Sequence, residues 1–329
     1  MFFNIMIMGS MISISSYSWL NMWIGLEINL MAIIPLMSSI KNIYASEASM
    51  KYFITQALAS TILLFSLILM NNKSNFFPYF NNYMIMMLNS SLLTKMGAAP
   101  FHFWFPEVMN GLNWNNCMIL LTWQKLAPMI LFMYNINMTM FNSIIIIMSS
   151  TMGSLMGLNQ TSLRKIIAYS SINHISWMIA SMLYSQYIWL IYFITYSIIT
   201  INIIIFFKIS NNYNLTQLIN SFNKNKMIKL TLMMNFLSLG GLPPFIGFLP
   251  KWLTINLLIY NNHFMISLIL ILMSLITLFF YLRLSFSSLM IYSNESLKLI
   301  NFQFKYFFMY SNILNLSSLI YCSFMFNFM

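Results

Sequence analysis

A run of 31 residues, 230–260, contains one charged residue, Lys251, and constrains the fold more than any other stretch. As one straight helix it would be about 46 Å long, against roughly 30 Å of hydrocarbon in a bilayer. Glycines and prolines crowd positions 240–250, and proline removes a backbone donor, so we expect the helix to break near its middle. Broken backbone at membrane depth is tolerated only where protein or water covers it. A lysine beside such a break is therefore a functional candidate.

The composition makes the chain an all-α polytopic membrane protein. Of its 329 residues 60% are hydrophobic and only 6% are charged, too few charges to cover a soluble fold of this length. The apolar runs are continuous, which favours helices over the alternating strands of a barrel. No polar linker divides the chain, so we expect a single bundle of about eleven transmembrane helices. The predicted spans are 2–17, 19–40, 48–70, 81–106, 115–134, 139–158, 165–184, 187–208, 228–260, 264–284 and 305–326.

The distribution of basic residues predicts the orientation of these spans. With eleven spans, eleven basic residues fall on the same side as the N-terminus and only Lys73 falls on the other. Basic loops stay inside, so the N-terminus is expected on the matrix or cytoplasmic side. This bias also explains the net charge of +11 without a nucleic-acid partner. The first apolar run lacks a basic leader and a small-residue cleavage site, so we expect it to be a retained helix.

Two predicted spans, 81–106 and 228–260, each carry a mid-membrane lysine next to glycine and proline. They are five spans apart, and an odd offset reverses the direction through the membrane. The pattern predicts antiporter-like inverted repeats of five helices, at 1–134 and 135–284, with a C-terminal loop and extra helix at 285–329. Corresponding broken helices in two such repeats are typical of an ion site in a transporter.

Four charged residues lie near the middle of the membrane: Glu27, Lys95, Lys125 and Lys251. Each is roughly 12–18 Å from a membrane surface and would cost about 2.5–3.5 kcal/mol if unpaired. They could be structural, with Glu27 in a static ion pair and the lysines bound to helix-end carbonyls. Burial favours a neutral lysine and a nearby carboxylate favours a charged one, so such lysines are also suited to exchanging protons.

Two histidines extend this list of proton-transfer candidates. His174 is mid-span among Ser170, Ser171, Asn173 and Ser176, which favours a hydrated path. His102 follows Lys95 by two turns, beyond Pro100. A membrane histidine is about as often a hydrogen-bonded core group as a proton relay. The sequence has no dinucleotide fingerprint and no cysteine cluster, so we expect no cofactor and no metal site in this chain.

Several motifs in combination resemble a known family. The runs SWLNMWIGLEINLMAIIPL, EASMKYFITQALASTILL, LLTKMGAAPFHFWFPEV, LTWQKLAPM, RKIIAYSSINHISWM and LGGLPPFIGFLPKW, spread over most of residues 19–252, resemble the antiporter-like subunits of mitochondrial NADH:ubiquinone oxidoreductase (respiratory complex I). Among these the resemblance is to the subunit 2 family, in the short animal form that lacks three N-terminal helices of bacterial relatives. After Trp252 only the hydropathy matches.

The resemblance implies a proton-translocating subunit of the mitochondrial inner membrane. It implies that proton movement is driven by NADH oxidation and ubiquinone reduction in other subunits, which would hold the flavin, Fe–S clusters and ubiquinone. It implies that Glu27 and Lys95 form a pair, that Lys125 is the central relay and that Lys251 belongs to the second broken helix. The implied partners are other membrane-arm subunits, including neighbouring antiporter-like ones, and membrane lipids.

Two other functions stay open at this point. A stand-alone cation/proton antiporter would share the broken helices, and a structural subunit would use buried charges only for packing. For the proton-translocating function we expect Glu27 and Lys95 to act as a switchable pair. When the two are close, the carboxylate holds the proton on Lys95. When they separate, the proton can pass toward Lys125.

Overall fold

A computed structural model describes residues 1–39, 42–71, 80–136, 139–222 and 226–290. These ranges form helices without a strand, apart from one isolated bridge between Ser162 and Asn214. The helices are α1 (Phe2–Ser15), α2 (Trp19–Met37), α3 (Ile43–Asn71), α4 (Phe80–Met96), α5 (Trp104–Gly111), α6 (Trp114–Leu121), α7 (Trp123–Met133), α8 (Thr139–Gly157), α9 (Leu163–Met182), α10 (Gln186–Ser210), α11 (Leu215–Phe222), α12 (Lys226–Gly240), α13 (Phe248–Tyr260) and α14 (Phe264–Met290). The predicted all-α membrane fold is confirmed.

Six segments of the described chain are long and apolar enough to cross a membrane unaided. They are Trp19–Met37, Ile43–Met70, Trp114–Met133, Thr139–Gly157, Gln186–Ser210 and Phe264–Phe286. The total of eleven crossings stays a prediction. Its last span, 305–326, and the predicted C-terminal loop beyond residue 290 lie outside the described residues.

The first compact unit runs from Met1 to Ser149. Helix α3 contacts α2, α4 and α5, while α7 contacts α1, α4 and α6. Helices α1 and α2 meet backbone to backbone at two glycines: a Cβ on Gly25 would lie 2.6 Å from the backbone nitrogen of Ser13 and 2.8 Å from the carbonyl oxygen of Gly9. Small residues allow such a close approach between membrane helices. Helix α2 is thereby held against α1 along one face.

The second compact unit begins at Ser150. Almost every residue of α9 is buried, and α9 contacts α10, α13 and α14. The short helix α11 follows α10, buries Leu218 and contacts α12 and α14. The predicted repeat boundary at 134/135 and the inverted relation of the repeats stay predictions.

Both predicted helix breaks are present, and they share one local backbone. Helix α4 ends just before Gly97 and α12 just before Gly241, each with φ +77°, a left-handed conformation that favours glycine. In both, the N–H of the following residue donates to a carbonyl five positions earlier, at 3.1 Å after Gly97 and 3.3 Å after Gly241. This is the Schellman helix end. A cis X–Pro bond follows in each segment, at Pro100 and Pro244.

A third interruption, between α6 and α7, was not predicted. Thr122 has φ −111° and ψ −72°, and its hydroxyl donates to the carbonyl oxygen of Met118 at 2.7 Å. A threonine hydroxyl that bonds to a carbonyl of the preceding turn bends a helix. Pro128, six residues further on, has no backbone N–H, so a second helical hydrogen bond is missing there. The interruption lies three residues before Lys125.

Candidate functional site

In the first unit the candidate site is centred on Lys95, in the last turn of α4 and 8% exposed. The lysine lines an interior cavity of about 20 Å³, large enough for one water molecule. The other lining residues come from α2, α3 and α7: Leu26, Asn29, Leu30, Tyr52, Gln56, Gln124 and Pro128. Because five of the eight lining residues are polar, the cavity suits a hydrogen-bonded water rather than an apolar group.

Neutral polar side chains surround this cavity, and the sequence interpretation did not single them out. Asn29 Nδ2 donates to Gln124 Oε1 at 3.0 Å, and Gln124 Nε2 donates to Asn29 Oδ1 at 2.9 Å. The Tyr52 hydroxyl donates to Gln124 Oε1 at 3.5 Å, and Gln56 Nε2 is buried with no hydrogen-bond partner among the described residues. A lone amide in an apolar span is the sequence signal that would have marked these residues.

Glu27 lies on α2 but does not line the cavity that holds Lys95. It borders a groove formed by Phe2, Ile5, Trp23, Ile24, Ile28, Met31 and Ala32, and its Oε1 is buried with no hydrogen-bond partner in the described part of the chain. Within the same ranges no hydrogen bond or ion pair of 4.0 Å or less joins Glu27 to Lys95. The structure therefore does not bring Glu27 into contact with Lys95, and the predicted pair stays a prediction.

Lys125 lies in the first turn of α7 and is 1% exposed. Its Nζ is 5.2 Å from the centre of the Phe105 ring, a cation–π contact. The preceding residue, Gln124, forms part of the Lys95 cavity. The first unit thus brings the start of α7 close to the end of α4.

His102 lies in the segment between α4 and α5 and is 1% exposed. Its Nδ1 is buried without a hydrogen-bond partner in the described ranges, and its ring stacks on Phe103 at 4.5 Å between centroids. The segment is tied back to α4 by Trp104, whose Nε1 donates to the carbonyl oxygen of Thr94 at 3.1 Å. The histidine is therefore held beside the end of the helix that carries Lys95.

In the second unit Lys251 lies in the first turn of α13 and is 6% exposed. Its Nζ donates to the carbonyl oxygens of Gly240 at 2.9 Å and Leu239 at 3.4 Å, and lies 5.8 Å from the centre of the Trp177 ring. The C-terminal carbonyls of a helix carry partial negative charge, so the end of α12 stabilises the ammonium. One alternative considered for the sequence, a lysine bound to helix-end carbonyls, is observed here.

His174 is buried in the middle of α9, as predicted, and its Nδ1 is 2.9 Å from the Tyr192 hydroxyl. Tyr196 and Tyr281 are also buried, and the Tyr196 ring centre lies 5.1 Å from that of His174. The hydrated path predicted from the serines near His174 stays a prediction; the hydroxyls of Ser170, Ser171 and Ser176 donate to carbonyl oxygens of α9 itself. These tyrosines were not predicted, because no sequence pattern relates them to α9.

The charged cluster at the protein surface has a different character. Lys51 Nζ is 2.9 Å from Glu47 and 3.0 Å from Glu107, and all three side chains are well exposed. Exposed pairs of this kind stabilise a protein by about 0.2–1 kcal/mol. Across the ranges that the structure describes, no three His, Cys, Asp or Glu side chains are grouped to hold a metal ion.

Comparisons with known proteins give a consistent result. The family described as "NADH:quinone oxidoreductase/Mrp antiporter, TM" matches residues 16–277. NADH-ubiquinone oxidoreductase chain 2 of Anopheles gambiae is 50% identical over 295 residues, covering 88% of this chain and 85% of the relative. Chain 2 of Locusta migratoria is 46% identical over 296 residues, covering 90% and 86%.

A solved structure of respiratory complex I from Thermus thermophilus contains a similar fold. The match has a TM-score of 0.86 and 22% identity, and it covers 97% of this chain and 77% of that chain. At this identity the likeness shows the fold alone.

Proposed function

Because the chain belongs to the NADH:quinone oxidoreductase/Mrp antiporter family, as a relative of NADH-ubiquinone oxidoreductase chain 2, we propose that its buried charged residues carry protons across the membrane. The chain is an antiporter-like subunit of the membrane arm of complex I, and so part of a proton-translocating NADH:ubiquinone reductase. It is a multi-pass protein of the mitochondrial inner membrane. The proposed proton-transfer residues are Glu27, Lys95, Lys125, Lys251, His102 and His174.

One observation supports the proposal above the others. Lys95, Lys125 and Lys251 are at most 8% exposed, and each lies within a few residues of a helix interruption. An interruption frees backbone carbonyls and allows the helix to bend, and a buried lysine there can change its surroundings when it bends.

In the first unit the proton is controlled by the separation of Glu27 and Lys95. At 4 Å and an effective dielectric of 20 the pair attracts by about 4 kcal/mol, roughly a thousandfold in proton affinity. Contact with Glu27 holds the proton on Lys95. Separation leaves a buried ammonium with weaker compensation, which releases the proton into the cavity bounded by Gln56 and Gln124.

In the second unit the charge on Lys251 is coupled to the broken helix. The protonated side chain is stabilised by the carbonyl oxygens at the end of α12. A neutral lysine binds these carbonyls more weakly, because hydrogen bonds from a charged donor are about twice as strong. Loss of the proton therefore loosens the contact between α12 and the start of α13.

The orientation and surroundings of the subunit are also proposals. The bias of basic residues supports an N-terminus on the matrix side. Of the lysines that carry this bias, Lys41, Lys224, Lys298 and Lys305 lie outside the described residues, as does Lys73, the one exception to it. The partners are the other membrane-arm subunits, including neighbouring antiporter-like ones, and lipids. Flavin, Fe–S clusters and ubiquinone are bound by other subunits, and this chain binds no cofactor.

The test is a double-mutant cycle in the intact complex with Glu27→Gln and Lys95→Met. Each single change is expected to lower NADH-driven proton pumping while native gels still show the full assembly, with Glu27→Asp milder than Glu27→Gln. The double change should cost much less than the product of the singles, since both remove the same interaction.

Lys51→Met is the matched control, because it removes an exposed lysine whose ion pairs are worth little. Pumping in this variant should equal that of the wild type. Independent effects of Glu27→Gln and Lys95→Met, multiplying in the double variant, would contradict the paired role. A subunit found outside the large assembly on native gels would favour a stand-alone antiporter.

A further inference from the structure

The reciprocal amide pair between Asn29 and Gln124 links two helices that carry proton-transfer candidates. Asn29 is on α2 with Glu27, and Gln124 is on α7 next to Lys125. Both amides are buried, 4% and 8% exposed, and two hydrogen bonds of 3.0 and 2.9 Å join them. In this pair each side chain uses one donor and one acceptor on the other, so the bonds fix the facing surfaces of the helices.

Glu27 and Asn29 on α2 point in nearly opposite directions. Glu27 and Asn29 are two positions apart, which is about 200° around an α-helix. Asn29 lines the cavity that contains Lys95, whereas Glu27 borders the groove beside α1. Any rotation of α2 about its axis that moves Glu27 toward Lys95 must therefore move Asn29 away from Gln124.

We infer that the Asn29–Gln124 amide pair is a latch that holds α2 with Glu27 away from Lys95, and that it opens when the two charges approach. The inference rests on the proposed proton-transfer function and adds two positioning residues to it. Asn29 and Gln124 take no proton themselves. They set the fraction of time in which Lys95 is separated from its carboxylate and open to the cavity.

Two other contacts in the first unit also hold α2 and Gln124 in place. Trp23, one turn before Glu27, donates from Nε1 to the carbonyl oxygen of Ser60 on α3 at 3.1 Å. The Tyr52 hydroxyl adds a longer bond to Gln124 at 3.5 Å. Two neutral hydrogen bonds shift an equilibrium by roughly ten- to thirtyfold. They offset only part of the charge attraction between Glu27 and Lys95, and the close packing of Gly25 against α1 also opposes movement of α2.

The experiment measures NADH:ubiquinone turnover and proton pumping of the intact complex in Gln124→Met, Glu27→Gln and the double variant, with assembly checked on native gels. Methionine keeps the length of glutamine and removes both hydrogen bonds. Without the latch, Glu27 stays in contact with Lys95, and Lys95 then releases its proton slowly. Gln124→Met should therefore lower turnover roughly tenfold. In the Glu27→Gln background, residue 27 carries no charge and does not attract Lys95. Gln124→Met should then lower turnover less than about twofold.

A swapped pair provides the rescue. Asn29→Gln and Gln124→Asn each leave a pair of the wrong total length, whereas together they restore one of the original length. The double swap should recover turnover that both singles lose. If Gln124→Met does not assemble, this swap carries the test alone.

Asn142→Leu is the control, because it removes a buried amide that donates to the carbonyl oxygen of Ile136 and does not join α2 to α7. Its effect on turnover should be the same in the wild-type and the Glu27→Gln backgrounds. Equal effects of Gln124→Met in both backgrounds, or a swap without recovery, would overturn the latch and leave the proton-transfer role intact. Wild-type pumping in Glu27→Gln would instead overturn the proposed function.

Discussion

Gly241→Ala tests how Lys251 is held at the second broken helix. Gly241 has φ +77°, and a Cβ there would lie 2.7 Å from Cδ of Lys251 and 3.0 Å from its Nζ. The left-handed backbone costs about 1–2 kcal/mol for a residue with a side chain. The methyl group also pushes Lys251 away from the carbonyl oxygen of Gly240, now 2.9 Å from Nζ. Losing a hydrogen bond from a charged donor costs about 1.5–3 kcal/mol.

If the displaced contact is used during proton transfer, its loss corresponds to roughly tenfold or more in rate, since about 1.36 kcal/mol is tenfold. The assay is NADH-driven proton pumping by the purified complex in vesicles, together with NADH:ubiquinone turnover and assembly on native gels. Gly241→Ala is expected to assemble and to lose at least about tenfold in both activities.

Gly240→Ala is the matched control one residue away. The three heavy atoms nearest to a Cβ at position 240 are side-chain atoms of Leu278 and Tyr281 at 3.5–3.6 Å, which is ordinary contact. This variant should pump like the wild type. Equal activity of Gly240→Ala and Gly241→Ala in assembled complex would refute the placement of Lys251 by the glycine.

Two further predictions concern other contacts. Tyr192→Phe removes the hydroxyl that is 2.9 Å from His174 Nδ1. If His174 relays protons, this variant should assemble normally and pump several-fold more slowly. Unchanged pumping would make the histidine a packing residue. Gly25→Ala places a Cβ 2.6 Å from the Ser13 backbone nitrogen and should force α1 and α2 apart. Native gels should then show less assembled complex. An unaltered yield of complex would contradict the tight packing of the two helices.

The sequence was sufficient to predict the buried charges and two helix breaks. Lys95, Lys125 and Lys251 stand out because lysine is costly in an apolar span. The breaks at Gly97 and Gly241 follow from local chemistry, since glycine and proline limit what the backbone can do. Such signals need no knowledge of the neighbouring helices.

The contacts of these residues could not be predicted in the same way. The pairing of Asn29 with Gln124 depends on how α2 and α7 are rotated, and no local pattern determines that rotation. The separation of Glu27 from Lys95 has the same origin. At Thr122 the signal is weak, because a lone threonine interrupts a helix only in some tertiary settings.

Lys251→Met tests most directly whether the buried lysines carry protons. Methionine keeps the apolar stem and removes the charge, and the loss of two hydrogen bonds at the end of α12 is offset by the removal of a desolvation cost. The complex should therefore assemble. The measurement is the number of protons pumped per NADH oxidised, together with the NADH:ubiquinone turnover of the same preparation. Proton transfer through Lys251 predicts that pumping is lost and turnover falls with it. Wild-type pumping and turnover in the assembled variant would contradict it.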